Sequence, residues 1–116
     1  MSLLIVLLTL LISLQAESAL ANNDPDYQIE VENNTVCSFI NSNGVNIRHQ
    51  PNTQSPVITT LNRGDGVRAV GREGNWVRLA ARDSGKSPEP YTPLQGWVFN
   101  QYINGCSEDQ FDRWRK

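Results

Sequence analysis

From Cys37 to Cys106 the apolar residues come in short bursts separated by turn-forming residues, which is the signature of strands rather than helices. Val36-Cys37-Ser38-Phe39-Ile40, Val45-Asn46-Ile47-Arg48, Val57-Ile58-Thr59-Thr60-Leu61, Val67-Arg68-Ala69-Val70, Asn75-Trp76-Val77-Arg78-Leu79 and Gly96-Trp97-Val98 are the bursts, with a last short one at Tyr102-Ile103. No 3.6-residue periodicity runs through this span. The pattern predicts an all-β domain, a small curled barrel of five to six short strands.

Asn41-Ser42-Asn43-Gly44 separates the first two bursts, and Asn-Gly supplies the positive φ of a tight reversal, so residues 36–48 read as a hairpin. Gly71-Arg72-Glu73-Gly74 joins a second pair. Residues 81–95 carry Pro88, Pro90 and Pro93 and are expected to form a long loop, because proline cannot sit in a central strand. In the tail, 107–116, Ser107 followed by Gln110 fits a capping box and Phe111 and Trp114 share one helical face, which predicts a short C-terminal helical turn. Residues 22–36 are polar and acidic and read as a flexible spacer. Tyr27, Ile29 and Val31 alternate with polar residues there, a pattern also compatible with a short strand. Asn33-Asn34-Thr35 is a glycosylation sequon, relevant only in a eukaryotic secretory pathway.

The chain opens with SLLIVLLTLLISLQ, then Ser18-Ala19-Leu20-Ala21, in which Ala19 and Ala21 fit a small-residue cleavage site. Residues 1–21 are therefore expected to be a secretory leader, placing the protein in the periplasm or outside the cell. The alternative is a retained anchor, against which the apolar run is short for a membrane span. No stable membrane insertion is expected once the leader is cut.

The sequence of 116 residues has a net charge of −2, and removal of 1–21 takes only Glu17, leaving ten basic against eleven acidic groups. So balanced a surface offers nucleic acid no footprint. Export also puts Cys37 and Cys106 where they can pair, closing a loop that stabilises the fold by about 4 kcal/mol in the chain-entropy model. A reactive or metal-binding thiol is the alternative, but it lacks partners: one His, no CxxC.

Val45-Asn46-Ile47-Arg48, Pro51, Val57-Ile58, Leu61, Gly64, Val67, Trp76, Gly96-Trp97-Val98 and Tyr102-Ile103, in this order and spacing, resemble the bacterial Src-homology-3 (SH3b) family over residues 39–103. The resemblance implies an SH3-like barrel at 37–106, acting as a non-catalytic module that binds peptides, including those of peptidoglycan. Where such domains join two strands with a few residues, this chain inserts 81–95, which could shape a groove or block one. Gly96 to Ile103 is also similar to the G-L-F-P-x-N-Y-V stretch of eukaryotic SH3 domains, which implies that Tyr102 lies at a groove while Phe99 replaces a proline. The aromatic cluster that reads proline helices has no counterpart in VNIRHQP, so that specificity is not carried over.

The chemistry-bearing residues point the same way. His49 and Cys37 do not make a persuasive nucleophile and base, the acids are scattered, and no metal-ligating or cofactor-binding pattern occurs, so no enzymatic activity, metal or cofactor is expected. Strand parity places Val77 and Leu79 on one face and Trp76 and Arg78 on the other. Trp76, Arg78, Phe99 and Tyr102 are thus the candidate ligand residues of a monomer that binds peptidoglycan or an envelope peptide or protein. Trp76 could instead cover the barrel or pack under the long loop, and Arg48 could either hold the turn near Pro51 or bind a ligand carboxylate. A protein–protein module, an inhibitor or accessory subunit of an exported enzyme, is the other reading.

Overall fold

The structure, a computed structural model, describes residues 24–115. The expected leader lies outside the described residues. Among those described, seven strands form one antiparallel sheet: β1 (Val36–Ile40), β2 (Val45–Arg48), β3 (Val57–Leu61), β4 (Gly66–Glu73), β5 (Trp76–Asp83), β6 (Tyr91–Phe99) and β7 (Ile103–Gly105), in the order β3-β2-β6-β5-β4-β1-β7. The sheet curls into a half-barrel, the small SH3-like fold expected from the sequence, with more strands than the five to six anticipated.

Side-chain alternation decides what fills the inside. Val45 and Ile47 of β2, Val77, Leu79 and Ala81 of β5, and Val98 of β6 are buried, while Asn46 and Arg78 between them are exposed. Trp114 of the tail closes one end, its indole N–H donating to the Ser38 hydroxyl at 3.0 Å. Cys37 and Cys106 form a disulfide beside the β1–β7 ladder. The staple joins the first strand to the residue after the last.

Three local expectations need correction. First, β1 and β2 are not a hairpin: β1 pairs with β4 and β7, whereas β2 pairs with β3 and β6. The Ile40 N–H donates to the Asp65 carbonyl (3.0 Å) and the Ile40 carbonyl accepts from Gly64 (2.8 Å), which commits the end of β1 to the other layer. Gly44 does adopt a positive φ of 65°, but in a connection that crosses the barrel.

Second, the acidic stretch is not a spacer or a strand; Pro25–Asn34 is a helix, α1. Its start is locally encoded, since the Asp24 carboxylate accepts from the Asp26 N–H at 2.9 Å and Pro25 occupies the first turn. Its placement is tertiary. The buried Arg68 guanidinium donates to the Thr35 hydroxyl and carbonyl (both 2.9 Å) and to the Glu32 carbonyl (3.3 Å), anchoring the helix C-terminus on β4.

Third, the long loop is shorter than 81–95, because β5 runs to Asp83 and β6 begins at Tyr91. Pro93 is accommodated because this part of β6 pairs only with β5; the pairing of β6 with β2 is confined to Trp97 and Arg48. The tail does form the short helical turn expected, a 3-10 turn at Glu108–Gln110, although Ser107 makes no side-chain cap bond. The tail is held by packing instead: the buried Asn104 side chain donates to the Phe111 carbonyl at 2.6 Å and accepts from the Arg115 guanidinium at 2.8 Å.

Candidate functional site

The end of β6, the 3-10 turn Asn100–Tyr102 that follows it and the β1–β2 connection meet on the outer surface. Hydrogen bonds fix their relation. Asn41 donates through its backbone N–H to the Tyr102 carbonyl (3.0 Å) and through its side chain to the Gln101 carbonyl (3.1 Å), while the Asn100 N–H donates to the Asn75 carbonyl (2.8 Å) in the β4–β5 turn. Between them lies a groove of about 330 Å³.

Trp76, Phe99 and Tyr102 form one wall. Trp76 and Phe99 are cross-strand partners with ring centroids 5.6 Å apart, and Tyr102 meets Phe99 edge-on at 6.1 Å. Tyr102 is 39 % exposed, so a large aromatic surface faces solvent beside polar groups rather than inside the core. Asn43, Asn46, Arg48 and Thr53 supply the polar side.

Among the described residues Arg48 is the one charged side chain lining the groove, and it has a structural task as well. Its guanidinium donates to the Ser55 carbonyl at 2.9 Å, and the buried Ser55 hydroxyl accepts from the Gln50 N–H at 2.8 Å. The loop after β2 is thereby built around the arginine, as the loop-holding reading anticipated. His49 is exposed on that loop.

Three of the four residues singled out from the sequence, Trp76, Phe99 and Tyr102, are therefore brought together. Arg78 is not: it faces Trp97 in the β5–β6 register and lines two other hollows. The 84–90 loop is also separate, bordering a hollow of its own with Asp83 and Tyr91. Asn43 and Asn46 were read only as turn and strand residues. For Asn46 the signal existed, because a polar residue between the buried Val45 and Ile47 must point outward.

A family profile described as the bacterial SH3 domain matches residues 43–104, more than half of the chain and every residue that lines the groove. The chain belongs to the bacterial SH3 domain family. Comparison with curated proteins found no match. Bacterial SH3 domains are in general non-catalytic binding modules, often extracellular, that act on proteins or the cell envelope. In this bacterial SH3 domain α1, β1, the disulfide and the tail lie outside the matched segment. No helix among the described residues is long and apolar enough to cross a membrane, and none of their His, Cys, Asp and Glu side chains gather in threes as metal ligands would.

The titration behaviour of this bacterial SH3 domain is altered away from the groove, under α1. Burial pushes the Tyr91 phenol up, and so does its hydrogen bond to the Glu32 carboxylate, against the opposing pull of Arg68, whose guanidinium lies 5.5 Å from the ring. Burial alone pushes up Tyr27. The Tyr91–Glu32 bond ties β6 to the helix.

Proposed function

We propose that the protein is an exported, monomeric binding module that holds a peptide of the cell envelope, with peptidoglycan stem or bridge peptides as the ligand class, in the Trp76–Phe99–Tyr102 groove. The observation that carries the reading is the contiguity of three exposed-edge aromatics with Asn43, Asn46 and Arg48. Flat rings take up the apolar parts of an extended chain, amide groups bond its backbone, and one guanidinium offers a partner for a carboxylate. The apolar leader 1–21 and the Cys37–Cys106 disulfide support export.

The test is co-sedimentation of the oxidised protein with purified peptidoglycan sacculi beside an insoluble polysaccharide control. Retention on sacculi alone, lost in Trp76→Ala while the melting curve is kept, is the expected result. A Trp76→Ala chain that binds as well as the parent would refute the groove. The second reading, a module that docks on another exported protein, draws on the 84–90 loop, which lines a hollow that shares no residue with the groove. Deleting its tip should abolish partner capture and leave sacculus binding intact.

A further inference from the structure

The outer face of the sheet bears a second arrangement, centred on Trp97. In the strand register Trp97 of β6 stands directly between Arg78 of β5 and Arg48 of β2. The ring is half-buried, and Arg78 is exposed and makes no hydrogen bond or ion pair within the described residues. Arg48 turns to the aromatic groove and lines neither of the hollows beside Trp97, whereas Arg78 lines both.

Two hollows share the Arg78–Trp97 pair. One, of about 310 Å³, is completed by His49, Gln50 and Gln95 and has no carboxylate in its lining. The other, of about 210 Å³, passes over Gly71, the residue opposite Arg78 on β4. A Cβ at Gly71 would meet nothing within 4 Å, so the sheet surface beside the guanidinium is open. Glu73 is the single acid there, beside Arg72. Six of the other ten acids among the described residues cluster elsewhere, Asp26, Glu30 and Glu32 on α1 and Glu108, Asp109 and Asp112 in the tail, and none of the ten lines either hollow.

We propose that the Arg78–Trp97 face is a second binding site, separate from the aromatic groove, and that its occupant is an acidic peptide in extended conformation. The planar guanidinium pairs two-pronged with a side-chain carboxylate, the Trp97 ring covers the methylenes that carry it, and the Gln50 and Gln95 amides exchange hydrogen bonds with the peptide backbone. An oligouronate offers the same carboxylates with hydroxyls in place of a regular run of backbone amides, and it is the competing ligand of the test.

The probe is a capped heptapeptide alternating glutamate and glycine, titrated into the disulfide-bonded protein while the tryptophan indole N–H resonances are followed. The Trp97 resonance is expected to move, the all-glutamine counterpart to leave it in place, and Arg78→Gln to weaken binding at least tenfold at an unchanged melting temperature. Trp76→Ala should leave this affinity unaltered, which separates failure here from failure of the groove. Equal response to the glutamine peptide, undiminished binding by Arg78→Gln, stronger binding of an oligouronate of equal charge, or loss of binding in Trp76→Ala would each overturn the assignment.

Discussion

Reducing the Cys37–Cys106 bond is the perturbation whose size follows most directly from the structure. The two cysteines are 69 residues apart, so the bond removes loop-closure freedom from the unfolded chain worth about 4 kcal/mol at 25 °C. The folded side of the balance changes little. Ser38, Phe39 and Ile40 remain laddered to Gly105, Asn104 and Ile103, the Cys106 N–H still donates to the Cys37 carbonyl at 3.1 Å, and Trp114 keeps its bond to Ser38. Reduction should therefore leave a folded but weakened domain, melting roughly 15–30 °C lower, since each kcal/mol shifts a domain of this size by about 4–8 °C. Both cysteines are exposed, so a phosphine reductant reaches them without prior unfolding. Circular dichroism melts of the oxidised, reduced and Cys37→Ser/Cys106→Ser forms provide the assay. A fall of less than about 5 °C in both reduced forms would show that the staple constrains nothing the ladders do not already hold.

Three further outcomes are expected. Gly105→Ala would set a Cβ 2.2 Å from the backbone carbonyl oxygen of Gln110, so the tail must shift; the cost should be about 1–3 kcal/mol in denaturant melts, with red-shifted emission as Trp114 leaves its seat, and an unmoved spectrum would refute the contact. Arg68→Met removes three donated hydrogen bonds at the end of α1 and should cost about 2–3 kcal/mol, with faster amide exchange along Pro25–Asn34 but not along β5. The Tyr91 phenol, raised by burial and by Glu32, binds its proton more tightly in the fold than in the unfolded chain. Its contribution is complete below the ordinary tyrosine range near pH 10 and is lost as pH climbs through the raised folded value. Tyr91→Phe should flatten part of the alkaline loss of stability, with Tyr27 keeping the remainder, and an unchanged slope would count against the link.

Much of the barrel was legible because a period of two needs only near neighbours in the chain. Val77 and Leu79 alternate with Trp76 and Arg78, and that alone separates inside from outside. Parity does not say where along a strand a side chain sits. Trp76 and Arg78 share a face but lie two residues apart, roughly 7 Å, enough to put one in the groove and the other beside Trp97. Pairing partners were harder to read. Asn43-Gly44 signals a reversal, yet the reversal carries β2 across the barrel, a choice made by the Asp65 and Gly64 backbone bonds to Ile40. At α1 the start signal, Asp24 before Pro25, is present in the sequence, but the polar, acidic composition of 22–36 reads as a spacer and the alternation of Tyr27, Ile29 and Val31 is equally compatible with a strand. The grip of Arg68, 33 positions beyond Thr35, holds it as a helix, and that contact is not local.

Gln28 reaches from α1 to the exposed margin of β6, its side-chain amide donating to the Tyr91 carbonyl at 3.2 Å and accepting from the Tyr91 N–H at 2.9 Å. One primary amide thus imitates the neighbouring strand that this stretch of β6 lacks. A bare margin of this kind is where one polypeptide can stack onto another and seed aggregates. The short upstream helix acts as a stopper for that margin, although it contributes nothing to the groove. Trimming the protein back to Val36 would keep every strand and still yield a stickier, less soluble product.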